Sequence, residues 1–144
     1  KQVINTPIST LDYLPTTLAQ IALAYPAERP LDGENVLPIL LGEKNIRQSA
    51  ILFATKKGSP KTAIIDGDYK FCSNLDSKKD ENLFHVQNDP SESKNLIKSK
   101  PEKAQSMKAK IYQWLESCKQ SFEGKDYEED YEIQGSFLNY EDRK

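Results

Sequence analysis

This 144-residue sequence contains few of the residues from which metal and redox sites are built. It has a single histidine and two cysteines, Cys72 and Cys118. Structural zinc sites need closely paired cysteine and histidine ligands, and no such spacing occurs here. Two cysteines are also too few to indicate a redox compartment. We therefore expect no metal site within this chain.

The sequence also lacks a strong charge imbalance and a long apolar run. Its formal net charge is −2, and its lysines are mixed with acidic residues, so no basic patch of the kind that binds nucleic acid is evident. No stretch approaches the roughly 20 apolar residues that a membrane-spanning helix needs. The first residues lack the charged-then-apolar pattern of a signal peptide. We expect neither nucleic acid nor a membrane as a partner.

The first third of the chain contains one helical pattern. Apolar residues recur at spacings of three and four and predict a helix over about residues 10–25. Asp12 is the predicted N-cap, because its carboxylate can accept from free amides of the first turn. Pro15 fits the same turn, where a missing N–H costs little. A turn-rich loop and a short apolar run, residues 36–41, follow.

From Ser49 onward the pattern becomes that of strands. Strands are predicted near residues 49–55, 61–66, 68–73 and 82–86, with Asp66-Gly67 as a hairpin turn. A last helix is predicted over residues 101–120, with Trp114 in its apolar stripe and therefore in the core. The expected fold class is α+β, a small four-stranded antiparallel sheet with the C-terminal helix packed on one face. Residues 124–144 are predicted to be an acidic tail.

Five segments, in this order, resemble the end of the type I sulfatase family. Two lie in the first helix and the following loop, one on the third strand, one from the fourth strand into its loop, and one at the last helix: residues 11–18 (LDYLPTTL), 29–40 (RPLDGENVLPIL), 68–71 (DYKF), 82–96 (NLFHVQNDPSESKNL) and 114–118 with 124–127 (WLESC, GKDY). The sequence departs from the family pattern at His85, where Asp is common, and at Asn82, where an acidic residue is usual.

The resemblance implies a domain organisation and a parent enzyme. Residues 1–45 would be the last helix and loop of an α/β catalytic domain, residues 46–123 the C-terminal sulfatase subdomain, and residues 124–144 the tail. The missing N-terminal catalytic domain would be the partner, and a sulfated small molecule or glycan the substrate of the parent protein. A formylglycine nucleophile and calcium are implied for the parent, and a periplasmic or secreted location follows from the same resemblance.

The chain itself does not contain the family's nucleophile. Formylglycine arises from the Cys or Ser of C/S-x-P-x-R, and neither Cys72 nor Cys118 lies in such a motif. The nearest match begins at Ser99, with Pro101 in place but Lys103 where Arg is required. We therefore expect no catalytic residue here, and no hydrolysis of sulfate esters by the chain alone, because sulfate transfer needs an activated nucleophile beside concentrated positive charge.

Four residues are candidates for the edge of a substrate cleft. His85 could reach an anionic substrate at the edge of the cleft, although a solvent-facing strand residue is the simpler interpretation. Lys56, Lys57 and Lys61 flank a Gly-Ser-Pro turn and could contact sulfate groups, or could only protect a sheet edge. The expected role of the chain is to complete the fold and to form one wall of the cleft.

Other interpretations stay open from the sequence. The parent could be a phosphoester-cleaving relative in the alkaline-phosphatase superfamily, or the chain could be a non-catalytic binding module. Against the second stands the apolar face of the first helix, which is suited to packing on a preceding domain. Cys72 and Cys118 could meet between sheet and helix and form a disulfide, or stay as thiols.

Overall fold

The protein was analysed as a computed structural model, which describes residues 3–23, 31–55, 61–74 and 77–125, with only the backbone at 77–79. A 3-10 helix, Thr10–Asp12, runs into helix α1, Tyr13–Gln20, and a short helix α2 covers Leu37–Leu40. The strands are β1, Ile51–Ala54; β2, Lys61–Asp66; β3, Tyr69–Asn74; and β4, Ser77–His85. Helix α3, Pro101–Phe122, follows. The strand order is β1-β2-β3-β4, and the predicted α+β class is confirmed.

The chain divides into two compact units, one made of residues 1–51 with 65–67 and the other of residues 52–64 with 68–144. We call them the first and the second unit. The predicted acidic tail lies outside the described residues from position 126 onward, as do residues 24–30 of the predicted first helix and its loop. No helix within the described ranges is both long and apolar enough to cross a membrane.

The second unit has an apolar core between one face of the sheet and α3. Strands β3 and β4 pair antiparallel with Phe71 opposite Leu83, and both side chains are fully buried. Met107 and Ile111, one helical turn apart on α3, are buried as well, and α3 contacts β3. Burying such side chains stabilises a fold by about 1.5–3 kcal/mol each. The buried residues of this core are among those whose alternating and helical spacing predicted the strands and the last helix.

Trp114 was expected in that core, but its side chain is not fully buried. It is only partly buried, whereas Met107 and Ile111 on the same helix are 0% and 1% exposed. Trp114 lies three residues after Ile111 and seven after Met107, on the same face of α3, and is nevertheless less completely covered than either. The core expectation for Trp114 is therefore only half correct.

The first unit departs from the sequence prediction at its helix. Asp12 occupies the N-cap position of α1, as predicted, whereas Ser9 caps the preceding 3-10 helix: its side chain accepts from Leu11 N and forms a capping box with Asp12. Asp12 precedes α1 but makes no side-chain cap bond to it. The helix ends at Gln20, before the predicted end, and Ala22 then takes a left-handed conformation with φ of 51°. The apolar run at 36–41 forms α2, with Pro38 in its first turn.

Candidate functional site

The most buried polar group in the first unit is the carboxylate of Asp12, which is 1% exposed. The Arg47 guanidinium donates to both of its oxygens, at 2.5 and 3.0 Å. Two backbone amides, of Ser9 at 2.7 Å and of Glu34 at 3.0 Å, donate to the same carboxylate. Burial alone would raise the pKa of Asp12, but these donors outweigh it and the pKa is lowered. Asp12 is thus a fixed anion that joins three segments of chain.

Glu34 makes a second polar connection in the first unit. Its carboxylate accepts from the amides of Gln48 and Ser49 and, at 2.6 Å, from the Ser49 hydroxyl. Burial opposes ionisation here too, yet the hydrogen bonds from Ser49 and Gln48 lower the pKa of Glu34. We call Asp12, Glu34 and Arg47 the polar clamp. Both carboxylates of the clamp connect separate segments of the first unit.

Gly33 is the point at which the loop approaches the backbone at the start of the first helix. A Cβ at position 33 would lie closer than 3.0 Å to three backbone atoms of Leu11 and Asp12. Real Cβ atoms do not approach backbone that closely, so only glycine lets the loop reach the helix start. The glycine of the Asp-Gly dipeptide that supports the sulfatase resemblance is therefore required by packing.

The loop after β4 is organised around Asp89 in the second unit. Its carboxylate accepts from the amides of Lys94 and Ser93 and from the hydroxyls of Ser93 and Ser91. These hydrogen bonds lower the pKa of Asp89 to about 2. The acidic residue of the Asp-Pro-x-Glu segment is therefore a loop organiser.

The rest of that segment ties the loop to the sheet. The Asn95 side chain accepts from the amide of Leu83 at 3.1 Å and donates to the Asn82 side chain at 2.8 Å. Glu92 forms an ion pair of 2.6 Å with Lys70 on β3. Lys70 belongs to the sulfatase-like segment 68–71 and Glu92 to the segment 82–96, so these two segments are in direct contact in the fold.

The predicted cleft candidates do not gather at one point. Lys56 and Lys57 lie outside the described residues. Lys61 begins β2 and is exposed, and its neighbour Thr62 donates to the carbonyl of Ser73 near the end of β3. His85 ends β4 opposite Tyr69, at the beginning of β3. Because β3 rises about 3.3 Å per residue, Lys61 and His85 stand at opposite ends of the sheet and cannot bind the same sulfate group.

His85 is part of a local cluster. Its imidazole contacts the Tyr69 ring edge-on, with 4.8 Å between the centroids and 60° between the planes. Asn88 N donates to its Nδ1 at 3.4 Å, and the Asn88 amide nitrogen lies 3.5 Å from its Nε2. The ring is half-buried and is held by the turn that follows β4.

Beside this pair lies a cleft that the sequence did not indicate as a site. It has a volume of about 550 Å³ and is lined by Tyr69 and by the first residues of α3 with those just before it, 99–103. The ammonium groups of Lys100 and Lys103 lie 5.8 and 5.5 Å from the centre of the Tyr69 ring. The only signal in the sequence was the spacing of two lysines around Pro101, which is too common to be specific. We call this the Tyr69 cleft.

The cysteines and Ser99, which were compared with the family's nucleophile motif, have ordinary structural surroundings. Among the described residues, no cluster of three or more His, Cys, Asp or Glu side chains could hold a metal ion. Cys72 and Cys118 are not joined by a disulfide. Burial raises the pKa of the Cys72 thiol, which makes it a poor nucleophile near neutral pH. Ser99, in the nearest match to the formylglycine motif, donates its hydroxyl to the carbonyl of Leu96.

Sequence comparisons alone do not assign this chain to a family. No protein-family model matches it. No curated protein sequence matches it either.

Comparison with solved structures does find relatives. Ps i-CgsB is 26% identical with a TM-score of 0.67, over 76% of this chain and 24% of that protein; it has also been solved with k-i-k-neocarrahexaose. A provisionally assigned sulfatase from Bacteroides thetaiotaomicron VPI-5482 is 25% identical with a TM-score of 0.61, over 79% of this chain and 26% of that one. A provisionally assigned sulfatase from Bacteroides fragilis, yidJ, shares the fold at 19% identity with a TM-score of 0.55.

The chain therefore spans about a quarter of the length of the relatives that it matches. Its four-stranded sheet with a C-terminal helix is the architecture of the sulfatase C-terminal subdomain. The motifs, the fold and these likenesses agree, and the chain is similar to the C-terminal portion of sulfatases.

Proposed function

We propose that this chain is the C-terminal part of a sulfuric ester hydrolase that acts on sulfated carbohydrate or an aryl sulfate. In this proposal the chain completes the fold of the parent protein and forms one wall of its substrate cleft. The observation that carries the proposal is the match, at 25% identity and a TM-score of 0.61, to only 26% of a provisionally assigned sulfatase from Bacteroides thetaiotaomicron VPI-5482. The complex of Ps i-CgsB with a neocarrahexaose supports a carbohydrate substrate.

The exposed apolar face of the first unit supports a missing partner domain. Leu11, Leu14 and Ile21 are 53%, 47% and 62% exposed, although they form the helical stripe that predicted a buried face. An apolar face of this kind usually marks an interaction surface. The preceding catalytic domain is the proposed occupant, since about three quarters of the relatives' length has no counterpart in this chain.

The chemistry of the reaction belongs to that preceding domain in this proposal. It would supply the formylglycine nucleophile and the calcium ion, which stabilises the sulfate oxygens as a Lewis acid. His85 and Lys61, with Lys56 and Lys57, would border the cleft from this side. Because Lys61 and His85 lie at opposite ends of the sheet, they would contact different parts of a long substrate. A periplasmic or secreted location is part of the same proposal.

The test compares three proteins: the parent with the residues encoded before Lys1, the same protein ending just before Lys1, and this chain alone. Each is assayed with calcium on p-nitrophenyl sulfate and p-nitrophenyl phosphate. We expect sulfate hydrolysis by the parent and none by either piece, because the nucleophile and the completed fold are then separated. A second expectation is a C/S-x-P-x-R motif in the upstream residues.

Two outcomes would reject the proposal. Preference of the parent for the phosphate ester would assign it to the phosphoester-cleaving relatives instead. Turnover by this chain alone, lost when Cys72, Cys118, His85 and Ser99 are all replaced, would place an active centre within these residues.

A further inference from the structure

We propose that the Tyr69 cleft binds a sulfate-bearing sugar residue, with Lys100 and Lys103 contacting the sulfate and Tyr69 contacting the sugar ring. The inference deepens the proposed function and rests on it for the choice of a sulfated sugar. It adds a binding site, at the end of the sheet that carries His85, to the cleft candidates indicated by the sequence.

The dimensions and charge of the cleft fit such a ligand. Its volume of about 550 Å³ falls within the range of roughly 300–1,000 Å³ typical of small-molecule sites. Two ammonium groups and one carboxylate, that of Glu102, belong to its lining residues. Each ammonium carries three N–H donors, so a lysine that already has one partner keeps donors for an anion.

The backbone holds this arrangement in place. Lys100 N donates to the carbonyl of Leu96 at 2.9 Å, and the Lys100 carbonyl accepts from Ala104 N at 3.2 Å. Lys103 lies within the first turn of α3, next to the buried Ala104. Both lysines therefore extend from fixed backbone, which lowers the conformational entropy lost when a ligand binds.

Tyr69 supplies the apolar surface that a sugar needs. Its ring is half-buried, faces the two lysines and is braced at its edge by His85. His85 is a positioning residue in this proposal, because its ring nitrogens face Asn88. A ring with cations beside it suits a ligand that has both an apolar face and an anionic substituent.

The test measures binding by the 144-residue chain with calorimetry at low salt. The ligands are a sulfated carrageenan hexasaccharide, its desulfated counterpart and sodium sulfate. The test variant carries Lys100→Gln and Lys103→Gln. The control carries Lys119→Gln and Lys125→Gln, which remove the same charge from exposed positions near the other end of α3.

We expect the sulfated hexasaccharide to bind the test variant about tenfold more weakly than the unchanged chain, with less than about a twofold change in the control. The desulfated sugar should not bind. Amide NMR signals of Ser99, Lys100, Glu102 and Lys103 in the unchanged chain should shift during the titration, which provides a readout independent of the folding of the variants.

Several results would overturn the inference: no binding of the sulfated sugar, equal losses in the two double variants, sodium sulfate bound as tightly as the hexasaccharide, or no shifts at residues 99–103. They are distinguishable from failure of the proposed function. Sulfate hydrolysis by the parent without binding here rejects only the cleft, whereas binding here with a phosphate-specific parent rejects only the proposed reaction.

Discussion

The two units of this protein are stabilised by opposite means. The second unit buries apolar side chains such as Phe71, Leu83 and Met107 completely. The first unit buries a charge, Asp12, with Arg47 at 8% side-chain exposure, while Leu11 and Leu14 on its helix remain about half exposed. The comparison shows that the second unit has its own hydrophobic core, whereas the first is organised by polar contacts and leaves apolar side chains of its helix exposed.

Removing a core aromatic from the second unit should have the largest effect. Phe71→Ala is expected to lower the free energy of unfolding by about 3–5 kcal/mol, because Phe71 is fully buried between the sheet and α3. The matched control is Phe53→Ala on β1, a phenylalanine that is 50% exposed, with an expected loss of about 1 kcal/mol. Urea unfolding followed by circular dichroism measures both. Equal losses would show that the second unit lacks the core described here.

Breaking the polar clamp should disrupt the first unit nearly as strongly. Arg47→Ala leaves the Asp12 carboxylate buried without its cation, which costs about 3 kcal/mol. Native-state hydrogen exchange at the amides of Ser9 and Glu34, which both donate to Asp12, should report the loss. Lys119→Ala, which removes an exposed pair with Glu123 at 3.7 Å, should change stability by less than about 1 kcal/mol. Unchanged exchange in Arg47→Ala would contradict the clamp.

Trp114 gives a smaller effect that tests how far the core extends along α3. Its partial burial predicts that Trp114→Ala lowers the free energy of unfolding by about 2 kcal/mol. Met107→Ala, at a fully buried position on the same helix, serves as the comparison and should cost more, about 2–5 kcal/mol. A Trp114→Ala loss as large as that of Phe71→Ala would place Trp114 inside the core after all.

Acid should weaken the first unit through Asp12, with the smallest effect of the four. The folded pKa of Asp12 is lowered from its ordinary value of 3.8, so the carboxylate stabilises the fold fully above that value. This stabilisation is lost as pH falls from about 4 through the lowered folded pKa. Exchange at Glu34 N between pH 6 and pH 3, compared with Asp12→Asn, tests the sign. A unit that became more stable in acid would contradict it.

Much of the sheet and of the last helix could be predicted from the sequence. The period change at Ser49, the Asp66-Gly67 turn and Pro101 correctly indicated three strands and the last helix, and Gly67 takes the expected positive φ of 60°. The beginning of β4 was missed, because the polar residues 77–81 have no apolar alternation and extend the strand only through pairing with β3, where Ser77 lies opposite Asn74.

The first unit and the cleft were harder to predict, for a common reason. Asp12 was interpreted as a local helix cap, yet its carboxylate is used by Arg47, which is 35 positions away. The Tyr69 cleft joins the start of β3 to the start of α3, about 30 residues apart. Neither connection leaves a periodic trace in the sequence, since both depend on which segments meet after folding.

The sequence by itself determined the succession of strands and the last helix, the sulfatase-like motifs and the absence of a C/S-x-P-x-R nucleophile. These features depend on neighbouring residues, whose spacing sets helical or extended periodicity. The tertiary structure decided that the motif residues Asp12, Gly33, Asp89 and Asn95 serve packing and hydrogen bonding, and that His85 and Lys61 stand apart. Those outcomes depend on contacts between distant segments, because burial and hydrogen-bond partners are fixed only when the chain has folded.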